Sequence, residues 1–160
     1  MNKIRVISEH PEDFNDEKFF RLAGCSSSGH LKSVFWCESL LPDSREWDPA
    51  IATVGVHVLV ANNVLEPNID VIALGSRVWR RLTHHREYVG NFQPRIAHPN
   101  GLPHTFGNYR LYLSPNPASS TPWWRQEGNL ISAATFWHNA ARGIMPDSSQ
   151  KSSRDVLTAS

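Results

Sequence analysis

Two short stretches of this 160-residue chain concentrate side chains able to do chemistry. The first is Ser8-Glu9-His10-Pro11-Glu12-Asp13, a polar turn holding carboxylates and an imidazole. Such groups orient water or carry a proton. The second runs Ser114-Pro115-Asn116-Pro117-Ala118-Ser119-Ser120-Thr121-Pro122-Trp123-Trp124-Arg125. It offers a carboxamide that both donates and accepts, several hydroxyls, and adjacent indoles of the kind that stack on bases or sugars. Each stretch also has a plainer reading. The N-terminal turn reads equally as a solvated loop, and tryptophans usually pack in cores. Of the six tryptophans, Trp123 and Trp124 are the expected exceptions to core packing.

Other chemistries find little support. Eight histidines invite a metal, yet no His-x-x-x-His, His-Glu or Cys-x-x-Cys pair occurs. His84 and His85 are adjacent and fall on different helix faces. The serines at 26–28 lack the Gly-x-Ser-x-Gly elbow of serine hydrolases, and no phosphate-binding Gly-x-x-x-x-Gly-Lys loop is present. Two cysteines, Cys25 and Cys37, cannot supply four thiolates to an iron–sulfur cluster. No metal and no cofactor is therefore expected. A net charge of +1 does not by itself point to a partner, so any nucleic-acid surface must come from local basic clusters. No run of 18 apolar residues suits a membrane span, and residues 1–8 lack a secretory apolar region. The expectation is a cytoplasmic, monomeric protein with reduced thiols.

The elements that must position these groups follow from pattern and punctuation. Ile4–Ile7 reads as a short strand, Ser33–Cys37 as a second, Asp70–Gly75 as the clearest, and Tyr109–Leu113 as a fourth. Helices are expected after Asn15 up to Gly24, after Asp48-Pro49 through Ala61, after Ser76, and from Asn129 to Arg142. The segment 51–61 alternates valines like a strand but has helical length, and a helix is chosen. The last helix places Leu130, Ala134, Trp137 and Ala141 on one face. Cys25–Gly29 reads as a flexible loop, and Tyr88–Gly107 as a long irregular loop. Strands alternating with helices predict an α/β fold: three layers, α/β/α, around a short, mostly parallel four-stranded sheet. Residues 1–145 form one domain in this reading, and 146–160 a frayed tail. In such sheets ligands sit beyond the carboxyl ends of the strands. The loops at Ser8–Asp13, Glu38–Asp43 and Ser114–Trp124 should then converge on one edge.

The order of motifs resembles the uracil-DNA glycosylase superfamily. Asp70–Trp79 looks like its strand-Gly-helix element. Leu113-Ser114-Pro115-Asn116-Pro117-Ala118-Ser119 resembles its second active-site motif, with asparagine in place of histidine as in the mismatch-specific branch. Phe19–Gly24 and Glu38-Ser39-Leu40-Leu41-Pro42 resemble two weaker landmarks. The resemblance covers about Phe19 to Arg142. It implies a glycosylase-like fold and removal of a base rotated out of DNA into a pocket. Asn116 would then support the departing base. Ser119, Ser120 and Thr121 would line a DNA-penetrating loop, small and polar where relatives carry an apolar wedge. Trp123 or Trp124 would have to replace that wedge.

The first motif departs from the family's glycine-rich loop. Aligning on Pro11 puts His10 at the water-activating position, with Glu9, Glu12 and Asp13 as alternatives. Phe19 or Phe20 would stack on the base, although core packing also suits them. Ser39, preceded by Glu38, stands where uracil-specific relatives have asparagine. An acceptor suits the exocyclic amine of cytosine, so a modified cytosine, glucosylated ones included, is favoured over plain uracil. Divergent members acting in antiviral defence make such a substrate conceivable. Arg95, His98, His104 and Arg125 are the phosphate or sugar candidates. Arg77, Arg80, Arg81 and Arg86 lie on a helix face, and Arg77 and Arg80 read better as solvated. No lysine lies in a site motif, which predicts a monofunctional glycosylase without a lyase step. The rival reading is a catalytically inactive module of the same fold that binds or mimics DNA.

Overall fold

The computed structural model describes residues 3–66, 68–83, 104–106 and 109–146. Strand β1 (Arg5–Ser8) leads into a 3-10 turn over Pro11–Asn15, then α1 (Glu17–Leu22) and α2 (Ser28–Val34). Next come β2 (Trp36–Ser39), α3 (Pro49–Ala61), β3 (Asp70–Leu74) and α4 (Ser76–Thr83). The chain continues with β4 (His104–Phe106), β5 (Tyr109–Ser114), a 3-10 turn over Pro122–Arg125, and α5 (Glu127–Ala141).

The strands lie in the order β2-β1-β3-β5-β4. The first three pairings are parallel, and β4 runs antiparallel against β5. Because side chains alternate across a strand, the central strands feed two cores. Val6, Ile72, Leu74 and Tyr112 face Phe19, Leu31, Phe35 and Trp137 from α1, α2, α5 and their flanks. Ile7, Val71, Ala73, Leu111 and Leu113 face Ala52, Leu59, Val78 and Leu82 from α3 and α4. The architecture is therefore the expected α/β/α sandwich.

The parallel part of the sheet holds the four expected strands, and β4 adds a fifth within the stretch read as an irregular loop. Ser33 and Val34 finish α2 instead of starting β2. The cause is local: the Ser27 side chain accepts the His30 backbone N–H at 3.0 Å, so the serine-rich stretch starts a helix. Asn15 is likewise not a cap. It ends the 3-10 turn, and Asp16 caps α1 by accepting the Lys18 N–H at 2.8 Å. The helical reading of 51–61 holds; Asp48 caps it through Ala50 N–H at 2.9 Å. In α5 the buried stripe is Ala133, Phe136, Trp137 and Ala140, while Leu130 is exposed. His84, His85 and Arg86 and the tail from 147 onward lie outside the described residues.

Candidate functional site

Strand ends build the site. β1 and β3 are neighbours, but the chain leaves β1 toward the α1/α2 layer and leaves β3 toward the α3/α4 layer. That divergence opens a crevice above their carboxyl ends. Gly75 makes the turn out of β3 at φ +95°, a conformation that disfavours any side chain. Its N–H donates to Ser114 O at 2.9 Å, joining the ends of β3 and β5. The result is a cleft of about 280 Å³ walled by Glu9, His10 and Asp13 from the first loop, Ser76 and Arg77 from the second, and Asn116, Ser119, Thr121 and Trp124 from the third.

Asn116 is held from several directions. Its Oδ1 accepts the Ala118 N–H at 2.9 Å, and its Nδ2 donates to Asp13 Oδ2 at 3.1 Å. These two bonds fix the orientation of the amide, because only oxygen can accept and only nitrogen can donate. Its backbone oxygen accepts the Trp124 indole N–H at 3.0 Å and the Ser119 N–H at 2.9 Å. One Nδ2 hydrogen serves Asp13, and the second meets no acceptor among the described residues. Burial pushes the Asp13 carboxyl above the usual aspartate range, and the hydrogen bond from Asn116 partly offsets that rise.

Of the other three candidate groups of the first loop, Glu12 is exposed and does not line the cleft, and Glu9 and His10 are engaged elsewhere. Glu9 receives a two-pronged contact from Arg77, with Nη2 to Oε1 at 2.8 Å and Nε to Oε2 at 3.1 Å. The Arg77 guanidinium also lies over the Trp47 ring, 5.1 Å from its centroid. His10 Nε2 sits 2.8 Å from the Arg45 carbonyl, which can only accept, so that ring nitrogen carries a proton. Both contacts tie the first loop to the 43–48 segment or to α4. Of the four groups, Asp13 is the one in contact with Asn116.

The remaining candidates divide by burial. Phe19 is fully buried, edge-on to Trp137 with centroids 5.0 Å apart, so it packs the core and cannot stack on a base. Phe20 packs against the same core and does not line the cleft. Glu38 and Ser39 line a different cleft, beside α3; the His10-Pro11 turn stands between the two, with His10 on one and Pro11 on the other. Glu38 accepts the Trp36 indole N–H at 3.0 Å and Ser39 Oγ donates to Leu41 O at 2.6 Å. Neither side chain is therefore placed to read a base held against Asn116. Trp123 and Trp124 meet edge to face at 4.7 Å and pack on the core, so neither projects as a wedge. Ser119 and Thr121 line the cleft, while Ser120 and Arg125 are exposed near it. Arg95 and His98 lie outside the described residues, as does the side chain of His104, whose backbone is in β4.

Arg77 lies on the exposed helix face expected of it, and it also lines the cleft and pairs with Glu9, a contact the sequence did not announce. Its nearness to the cleft did have a signal: Arg77 follows Gly75-Ser76 at the carboxyl end of a strand. Trp47, under the Arg77 guanidinium, carried no such signal. Among the described residues no group of three or more His, Cys, Asp or Glu could hold a metal, and no helix is long and apolar enough to cross a membrane. Both cysteines are unpaired, and burial pushes the Cys37 thiol up to about 12, which disfavours the thiolate. Among known proteins, no family model matches the chain, and neither a curated protein nor a solved structure does.

Proposed function

We propose that this cleft removes a flipped-out, damaged or modified base from DNA by hydrolysis of its N-glycosidic bond. The observation that supports the reading most is the Asp13–Asn116 pair at 3.1 Å, set across a cleft at the small end of ligand sites. The resemblance of the Asn116 loop to a glycosylase motif gives the reaction class. In this mechanism the C1′–N bond breaks and its electron pair leaves with the base. Asn116 donates its free Nδ2 hydrogen to an acceptor on that base. Asp13, ionised, orients a water and offsets positive charge on the sugar; the water oxygen bonds to C1′. One water proton goes to Asp13 and is passed to the departing base.

Glu9 and His10 act as braces in this reading, since Arg77 and the Arg45 carbonyl already hold them. The same engagement is what a non-cutting DNA-binding module would show, and one experiment separates the two. DNA carrying a panel of uracil, cytosine and modified cytosines is incubated with protein and then heated in alkali. Strand breaks at one base identify an enzyme and its substrate; intact strands on every base leave the binding module. For the enzyme, Asn116→Ala should lower the rate about 100-fold, the scale of losing one preorganised donor to a developing anion. An unchanged rate removes Asn116 from the chemistry.

A further inference from the structure

A second cleft, of about 470 Å³, adjoins the first and shares two of its walls, Ser119 and Trp124. It opens between α1 and α5. Its floor is apolar, with Leu22, Pro117 and Ala134, and one side is the Trp124 indole. Its rim carries Lys18, Arg21 and His138, and no carboxylate lines it among the described residues. Lys18 Nζ donates to Ala118 O at 3.3 Å, which holds the ammonium over the loop that separates the two clefts. That acceptor is neutral, so the lysine's charge is not cancelled there. Arg21 pairs with Glu17 on an exposed helix face, a contact worth little in water.

The geometry points to this second cleft as the seat of the nucleotide next to the excised one. The inference rests on the DNA reading above. An aromatic wall suits a base face, since stacking is tolerant of sequence. A cation on the dividing loop suits the phosphate that links two nucleotides seated on either side of it. Trp124 is then the shared partition: its N–H is committed to Asn116 O at 3.0 Å, which leaves its ring, not its polar edge, for the ligand.

A fluorescent 15-nucleotide strand with a central tetrahydrofuran abasic analogue, alone or as a duplex, tests this by anisotropy. The analogue carries no base at the excised position, so recognition of that base does not enter the comparison of variants. Ala134→Phe fills the second cleft from α5 and should weaken binding at least tenfold, with circular dichroism as the check on folding. Lys18→Ala, on an exposed site, should weaken it severalfold and lower the slope of log K against log salt by about 0.7 for the single strand. Binding like the wild type by both variants overturns the inference and leaves the DNA reading standing. That result would also hand the cleft to a group appended to the excised base. Failure of the wild type to bind either form at low salt removes the DNA reading and this inference together.

Discussion

Asp13 is partly buried, and desolvation raises the affinity of its carboxyl for protons. Its folded-state pKa lies above the unfolded value of about 3.9. The ionised form therefore destabilises the fold. That penalty is complete above the folded pKa, shrinks as pH falls through it, and is absent below the unfolded value. Asp13→Asn keeps an acceptor for Asn116 Nδ2 and removes the penalty. Melting curves should show the variant more stable than wild type at neutral pH, with the difference gone below the unfolded value. If Asp13 orients water, activity should fall on the acid side at a pH above the ordinary aspartate range, and the stabilised variant should be inactive. A flat pH–rate profile assigns the water to another group. The chemistry-bearing types at positions 9, 10, 13 and 116 were legible in the sequence because their loops follow strands. Their pairings were not. Glu9 and Arg77 are 68 positions apart, and no local pattern announces that a guanidinium will occupy that carboxylate.

At the scale of elements, α3 approaches the Leu40 backbone closely at Gly55. A Cβ there would overlap the backbone carbonyl of Leu40. Helix propensity alone predicts that Gly55→Ala gains about 1 kcal/mol. Overpacking against backbone, which cannot swing aside, costs about 1–3 kcal/mol and wins. Urea unfolding should thus show a net loss with an unchanged m-value, and a gain would mean that α3 slides freely on the Leu40 segment. Helices and strands with strong punctuation were readable: Asp48-Pro49 starts α3, and the apolar run 70–74 is β3. α2 was not, because Ser26-Ser27-Ser28-Gly29 looks like a linker until one serine is seen capping His30. β4 escaped because a three-residue strand has too few positions to show alternation.

For the molecule as a whole, one sheet serves two cores. β1, β3 and β5 send alternate residues to opposite layers, so neither layer can melt without stripping the sheet from the other. Leu82→Ala, in the α3/α4 layer, should cost about 2–5 kcal/mol. It should lower the stability read from hydrogen exchange equally for the backbone amides of α4 and for those of α5, whose Trp137 is buried in the opposite layer. Unequal losses would show two independent cores. The net charge of +1 also means that the chain exerts no global field on a polyanion.

The outermost position of β2 has its own consequence. A terminal strand invites another chain to add itself, and long flat apolar borders are where aggregates begin. Here that border is four residues long and carries an acidic side chain at Glu38. A second molecule lining up alongside would gain few backbone bonds and would bring two carboxylates together. So short and charged a border is a poor template for strand addition.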